Sequence, residues 1–272
     1  MIRLLGHRLW MARLGLCVLV GAIGFVPSAN AGLIAEWSGN GNANDSVAGR
    51  NGTFNGSFGT GQFGQQAFQF NGSNQFLSVA NDNAWNFGSN PFTIALWANF
   101  DSISGRPVGQ GGNALIGHDD GGGSLNKWTF TYVNNGSLVW HINSPTLGPI
   151  FLPSPSVLIV STNQWNLFTV TRSGNTYTFY ENGTSLGSAT DNNSIPVAIA
   201  PLTIGEFEGI GWFNGRMQNV QIYDQALSAQ QVDQLAAGQQ LAGPVPEPAS
   251  LSLLAVGLTC LAGYGWKKRR GL

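Results

Sequence analysis

Short runs of alternating apolar and polar residues make up most of the chain between residues 32 and 237. Such alternation is typical of β-strands that bury one face. Asn-Gly pairs, which tolerate the positive φ of tight turns, separate several of these runs. The predicted strands cover residues 66–79, 92–100, 127–133, 137–142, 164–172, 176–181, 202–205 and 214–223. The pattern predicts an all-β protein of about ten strands, arranged as a sandwich or a barrel.

A single helix is predicted after the last strand. Ser228 stands at its N-cap position, Gln231 follows three residues later as in a capping box, and Gly238 marks its end. Two other segments are predicted to be irregular. Glycine-rich segments 109–112 and 121–123 flank a predicted long loop that carries residues 118–120, and four prolines interrupt residues 144–157.

The first 31 residues have the three parts of a secretory signal peptide. Basic residues precede an apolar stretch over residues 14–25, and Pro27 ends that stretch. Ala29 and Ala31 then supply the small side chains that signal peptidase requires. We therefore expect signal peptidase to cleave after Ala31 and the rest of the chain to leave the cytoplasm.

The C-terminal segment, residues 244–272, combines a short proline motif with an apolar run and a basic end. Pro246, Glu247 and Pro248 lie in motif 245–249, residues 249–266 carry no charge, and residues 267–270 are all basic. The 18 residues of the apolar run would span roughly 27 Å as a helix, which is enough to cross a bilayer core. The basic end is expected to remain on the cytoplasmic side.

This order of parts resembles the PEP-CTERM sorting signal of Gram-negative bacteria. The resemblance implies that an exosortase recognises and cleaves the tail, so that the inner membrane holds the protein only transiently. It also implies that the product reaches the cell surface or the extracellular matrix. A permanent tail anchor is the alternative interpretation.

Removing both ends changes the charge balance of the chain. The whole chain has a net charge of −1, but seven of its 12 lysines and arginines lie in the two terminal segments. Residues 32–246 keep five basic and 12 acidic side chains, which leaves a net charge of −7. This excludes nucleic acid as a partner, because its phosphates require a basic surface. Cys17 and Cys260 also lie in the terminal segments, so no disulfide is expected in the exported domain.

A second set of motifs extends over nearly the whole exported region. Aromatic, Asn-Gly and short apolar segments follow one another at residues 44–47, 51–54, 67–72, 92–97, 163–171, 177–183, 213–216 and 222–228. Their order and spacing resemble the laminin-G-like (LamG-like), concanavalin A-like and pentraxin-related domains. The resemblance implies a jelly-roll β-sandwich of two antiparallel sheets over residues 32–243, with one short C-terminal α-helix.

Domains of this family often bind calcium, which prefers several carboxylate ligands. This chain has amides at up to five of the corresponding positions, including Asn71 and Gln218. Asp45 is kept, and Asp45 with Gln218 is the predicted residual calcium site. The alternative is that Asp45 caps a turn. Residues 118–120, with the sequence His-Asp-Asp, form a second metal candidate, for which an exposed acidic loop is the simpler explanation.

Glucanases share this fold, and glycoside hydrolysis requires a pair of carboxylates across the scissile bond. The nearest pattern in this chain is Glu206-Phe207-Glu208, which lies between glycines and has no third acidic residue. Residues 32–243 also contain neither a cysteine nor a Gly-x-Ser-x-Gly nucleophile motif. We therefore expect the protein not to be an enzyme.

Seven tryptophans lie in residues 32–243. Sugar rings stack on aromatic faces, and nearby amide and carboxylate side chains bind their hydroxyl groups. Trp128, Trp140 and Trp212 are the predicted sugar-contacting residues, and a place in the core is the alternative for each. The sequence favours binding of carbohydrate or other matrix components. A passive structural role in the matrix or envelope and a glycan hydrolase are the alternatives.

Overall fold

The structure, a computed structural model, describes residues 32–241. Outside this range lie the predicted signal peptide with Ala29 and Ala31 and the predicted sorting tail with Pro246, Glu247 and Pro248. Within residues 32–241, no helix is both long enough and apolar enough to cross a membrane.

Fifteen strands in the described residues form two antiparallel sheets, which confirms the predicted jelly-roll sandwich. Across the eight-stranded sheet the order is β13 (Thr184–Thr190), β12 (Thr176–Glu181), β11 (Trp165–Ser173), β6 (Phe92–Phe100), β15 (Asn214–Tyr223), β4 (Gln66–Asn71) and β3 (Ser57–Thr60), and β1 (Leu33–Trp37) also pairs with β15. Across the seven-stranded sheet the order is β10 (Ile150–Pro153), β9 (Leu138–Asn143), β8 (Lys127–Tyr132), β7 (Asn113–Asp119), β14 (Leu202–Ile204), β5 (Leu77–Val79) and β2 (Gly52–Phe54).

Aromatic and branched aliphatic side chains fill the core of the sandwich. Trp128 of β8 and Trp140 of β9 point into it, and their rings stack with centroids 5.1 Å apart and planes inclined by 13°. Neither side chain has exposed surface. The prediction that Trp128 and Trp140 contact sugar is therefore corrected. Side chains alternate between the two faces of a strand, and these two positions face inward.

Helix α1 (Ala229–Ala236) begins at the predicted capping box. The Ser228 hydroxyl accepts a hydrogen bond from the Gln231 N–H at 3.3 Å, and the Gln231 side chain accepts one from the Ser228 N–H at 2.9 Å. Gly238 follows the helix with φ of 73°, a conformation that favours glycine. Val232 of α1 packs in one apolar cluster with Trp97 of β6, so the helix covers part of the outer face of the eight-stranded sheet.

Strands β1, β2, β3 and β13 lie outside the predicted ranges, and three further segments differ from the prediction for a clear physical reason. Residues 66–79 form two strands in different sheets, because Gly72, with φ of 72°, turns the chain between β4 and β5. Residues 113–119 form β7 rather than a loop, because they pair with β8 and β14 between the flanking glycines. Strand β10 forms among prolines because it is an edge strand, where proline is tolerated.

The buried position of Trp140 can be tested by truncation. Trp140→Ala is expected to lower the free energy of unfolding by about 3–5 kcal/mol, because it leaves a cavity in a packed core. Trp212→Ala is the control, since Trp212 is only partly buried; it is expected to cost about 1 kcal/mol or less. Urea unfolding followed by circular dichroism measures both values. Equal losses would contradict the assignment of Trp140 to the core.

Candidate functional site

A cleft of about 230 Å³ lies on the face of the seven-stranded sheet that is turned away from the core. Strands β7 to β10 form its floor, and the segment between β14 and β15 forms one side. The residues that line it are Gly109, Gly111, Asp119, Gly123, Lys127, Thr129, His141, Asn143, Pro149, Phe151, Phe207, Glu208 and Ile210.

Strand register arranges the residues of the floor in two adjacent rows. One row runs through Gly117, Thr129, His141 and Phe151, and the other through Asp119, Lys127 and Asn143. The same alternation that turns the tryptophans of β8 and β9 inward turns these polar residues outward. The floor is therefore a direct consequence of how the core is packed.

Lys127 is the centre of the second row, and its side chain is almost fully buried. Its Nζ atom lies 3.2 Å from Oδ1 of Asp119, donates to the carbonyl oxygen of Gly121, and forms an ion pair with Glu208. A buried ammonium group requires such partners, because the loss of its hydration is otherwise costly. These three oxygens match the three hydrogens of the ammonium group.

Glu208 reaches Lys127 from a tight turn between Phe207 and Ile210. These two residues form a pair of backbone hydrogen bonds, of 3.2 Å and 2.7 Å, across the turn. Between them, Glu208 has φ of 53° and Gly209 has φ of 68°. For a residue other than glycine, a positive φ costs about 1–3 kcal/mol, and such backbone strain persists only where other contacts offset it. The ion pair with Lys127 is one of the contacts that hold Glu208 in this conformation.

Gly117 allows this turn to lie close to the sheet. A Cβ atom at Gly117 would come within 2.7 Å of the ring of Phe207. The absence of a side chain therefore lets Phe207 pack directly on β7. The nearby carboxylate of Glu206 accepts a hydrogen bond of 2.8 Å from the N–H of Gly209, which holds the turn from the other side.

His141 and Phe151 form the apolar part of the cleft. Their rings stack with centroids 4.2 Å apart and planes inclined by 14°, and Phe151 is 39% exposed. Nδ1 of His141 lies 2.8 Å from the carbonyl oxygen of Ile150. Since a carbonyl only accepts, Nδ1 carries the hydrogen and Nε2 is left as an acceptor. Burial lowers the pKa of His141, which favours this neutral form.

Asn143 adds an acceptor without a partner. Its Nδ2 donates to the carbonyl oxygen of Gly123 at 3.0 Å, whereas its buried Oδ1 has no hydrogen-bond partner among the described residues.

Two carboxyl groups near the cleft are shifted towards the protonated form. Burial raises the pKa of Asp119 to about 7, and the Glu208 charge acts in the same direction. The Gly121 N–H and Lys127 oppose this shift without cancelling it. Burial also raises the pKa of Glu206.

The predicted calcium site does not have a suitable set of ligands. Each carboxylate oxygen of Asp45 accepts hydrogen bonds from two backbone N–H groups. Oδ1 accepts from residues 36 and 47, and Oδ2 accepts from residues 48 and 50. Gln218 instead binds the backbone of Gln62. Asp45 is thus the cap of a turn, which was the alternative interpretation, and a calcium ion at Asp45 and Gln218 does not fit this arrangement.

The second metal candidate is divided by the strand that contains it. His118 is fully buried, with Nε2 2.8 Å from the Ala200 carbonyl oxygen, whereas Asp119 lies on the opposite face in the cleft. Asp120 accepts the N–H groups of Ile199 and Ala200. Residues 118–120 therefore do not converge. Across the described residues, no group of three or more His, Cys, Asp or Glu side chains is placed to hold a metal ion.

Trp212 lies beside the cleft and not in its lining. It packs against Phe76 at 6.1 Å between centroids and donates from Nε1 to the carbonyl oxygen of Gly209 at 2.8 Å. Its predicted sugar contact stays a prediction. Lys127, His141 and Phe151 of the lining were not among the predicted site residues. Lys127 directly precedes Trp128 and His141 directly follows Trp140, so both were visible as polar neighbours of the tryptophans, but nothing in the sequence marked their partners.

The pKa of Asp119 predicts that stability falls as pH rises. Its pKa is about 7 in the folded protein and near 3.8 ordinarily, so the folded state binds the proton more tightly between those values. We expect the free energy of unfolding to decrease from about pH 4 to about pH 7, and Asp119→Asn to remove this part of the slope. Urea unfolding at several pH values measures it, with exposed Asp233→Asn as control. The same slope in D119N would contradict the shift.

Comparisons with known proteins agree with this architecture. A family model described as the concanavalin A-like lectin/glucanases superfamily matches residues 70–233, and the PEP-CTERM protein-sorting motif matches residues 244–270. A comparison with curated proteins gives no match.

Several solved structures share the fold at low sequence identity. Domain 4 of AbnA, a GH43 extracellular arabinanase from Geobacillus stearothermophilus solved in complex with arabinotriose, has a TM-score of 0.59 and 20% identity, over 76% of this chain and 99% of that one. The binding domain of Paraclostridial Mosquitocidal Protein 1 has a TM-score of 0.58 and 19% identity, over 76% of this chain and 52% of that one. The botulinum neurotoxin serotype G binding domain has a TM-score of 0.55 and 17% identity, over 75% of this chain and 50% of that one. The chain thus spans about half the length of these two toxin domains.

The family model covers more than half of the chain, and its two-sheet fold is the one observed. The protein therefore belongs to the concanavalin A-like lectin/glucanases superfamily and carries a PEP-CTERM protein-sorting motif at its C-terminal end.

Proposed function

We propose that the protein is an exported carbohydrate-binding protein and that the cleft on the seven-stranded sheet holds a sugar unit of its ligand. The observation that carries this proposal is the stacked pair of His141 and Phe151 beside a row of polar side chains. Specific small-molecule sites combine apolar faces with a few fixed polar groups in this way.

The dimensions of the cleft favour a small ligand unit. Its volume of about 230 Å³ is below the roughly 300–1,000 Å³ of typical drug-sized pockets. One sugar residue of a longer chain matches such a space, with the rest of the chain lying in solvent. The C–H face of that residue would stack on the exposed ring of Phe151, while its hydroxyl groups bind Thr129 and Asn143.

A fold relative supports a carbohydrate ligand. Domain 4 of AbnA was solved with arabinotriose, and it matches this chain along 99% of its own length. At 20% identity this likeness does not transfer the ligand, so it supports only the class of molecule.

The carboxylates near the cleft favour binding over hydrolysis. Glu208 is paired with Lys127, and Glu206 accepts the N–H of Gly209, so both acids stabilise the turn between Phe207 and Ile210. We therefore propose a non-catalytic role. A passive structural role in the matrix would require no ligand in the cleft, and the binding experiment below distinguishes the two.

Phe151→Ala is expected to weaken glycan binding about tenfold or more, because it removes the only strongly exposed aromatic face in the lining of the described cleft. Phe63→Ala is the matched control, since Phe63 is also exposed but packs beside Trp97 on the other sheet. Glycan-array screening finds the ligand, and calorimetry with the purified protein measures its affinity. Binding that F63A weakens and F151A leaves intact would place the site elsewhere, and an empty array would favour the passive role.

For its location, we propose that the protein is held transiently in the inner membrane by residues 249–266 and is then transferred by an exosortase to the cell surface or extracellular matrix. The match to the PEP-CTERM motif supports this route. Glu247→Gln, with Pro246 and Pro248 kept, is expected to block tail processing, so that the uncleaved form accumulates in membranes. Immunoblots of membrane and extracellular fractions measure this. Unchanged processing would show that Glu247 is not recognised.

A further inference from the structure

Among its described residues, the cleft offers many hydrogen-bond acceptors and no free positive charge. Of the 13 described residues that line it, Lys127 alone carries a fixed positive charge. Its ammonium hydrogens are directed to Asp119, Glu208 and the carbonyl oxygen of Gly121. The cleft therefore has no free cation with which to bind an anionic group.

The remaining polar atoms of the cleft are mainly acceptors. Nε2 of His141 is an acceptor because Nδ1 carries the hydrogen that points to Ile150. Oδ1 of Asn143 is unpaired, and the Asn143 side chain is more than nine-tenths buried. The carboxylate oxygens of Glu208 and of ionised Asp119 complete the set, and the hydroxyl of Thr129 can act in both senses.

We infer that the cleft selects a glycan that carries free amino groups over a neutral glycan, and a neutral glycan over one that carries carboxylates. This inference rests on the proposed carbohydrate-binding function. A protonated amine offers three donors and a positive charge, which complements the acceptors and the two carboxylates. It can also lie against the face of Phe151, where the ring attracts a cation. A uronic acid would meet like charges and mainly acceptors, with the hydroxyl of Thr129 as a donor.

The charge distribution of the whole domain also favours a cationic ligand over an anionic one. The charged or titratable groups that face the cleft are Asp119, Lys127, His141 and Glu208, of which only one is a fixed cation. Residues 32–246 have a net charge of −7. The protein therefore attracts a cationic chain at long range and repels an anionic one, and salt weakens both effects.

Three oligosaccharides of equal length test the inference on the purified protein: a glucosamine oligomer, an N-acetylglucosamine oligomer and a galacturonic acid oligomer. Calorimetry at low salt is expected to give roughly tenfold tighter binding of the glucosamine oligomer than of the N-acetylated one. Binding of the galacturonic acid oligomer is expected to be weakest. Added sodium chloride should reduce the difference between the charged probes.

Glu208→Gln supplies the decisive variant. It removes the negative charge of one carboxylate and leaves the charge of Lys127 less neutralised, so the preference for glucosamine over galacturonic acid should fall about tenfold. Asp233→Asn is the matched control, because it makes the same change in net charge at an exposed site on α1. It should leave the preference unchanged. Thermal unfolding of both variants checks that the fold is kept, and the salt series on the unmodified protein provides a second test that needs no variant.

The outcomes separate this inference from the proposed function. Binding of neutral or acidic glycans that is lost in F151A, without preference for the glucosamine oligomer, would overturn the inference and keep the function. An equal loss of preference in E208Q and D233N would show that net charge and not the cleft sets selectivity, which also overturns it. If no glycan of any class binds, the proposed function itself fails.

Discussion

The stacked tryptophans of the core determine the outer face of the seven-stranded sheet. Trp128 and Trp140 fill the space between the sheets, and strand geometry then places their neighbours on the opposite side. Lys127, Thr129 and His141 occupy those positions and become the floor of the cleft. The domain contains no cysteine, so this packing, and not a disulfide, fixes the strands that carry the site.

The buried ammonium of Lys127 connects the floor of the cleft to its side. It joins Asp119 on β7 to Glu208, whose backbone is held in a strained conformation at the tip of a tight turn. A glutamate in that conformation is costly, and an ammonium without partners would be costly as well. Each group thus compensates for the other, and the result is a cleft whose one cation is already used. This is why a site with a lysine can favour a cationic ligand.

Features that depend on neighbouring residues could be predicted from the sequence. The capping box of Ser228 and Gln231 and the period-two strands β6, β12 and β15 are of this kind, because their signals lie within a few positions of one another. Strand β7 could not, since its flanking glycines resemble a loop and only pairing with β8 and β14 makes it a strand.

The candidate site depends on contacts that the sequence does not display. Lys127 and Glu208 are 81 positions apart, and only the packing of the turn between Phe207 and Ile210 brings them together. Tryptophan was a misleading signal, because large aromatic side chains serve the core as readily as a ligand. Phe151, on an edge strand between prolines, is the residue that presents its ring to solvent.

The proposed function requires that the ligand binds in the cleft formed by β7 to β10. Its most direct test is an NMR titration of the protein with the oligosaccharide that binds best among amino, neutral and acidic probes. We expect the largest amide shifts at Thr129, His141, Asn143 and Phe151. Shifts confined to the eight-stranded sheet, around Trp97 and Trp165, would contradict it.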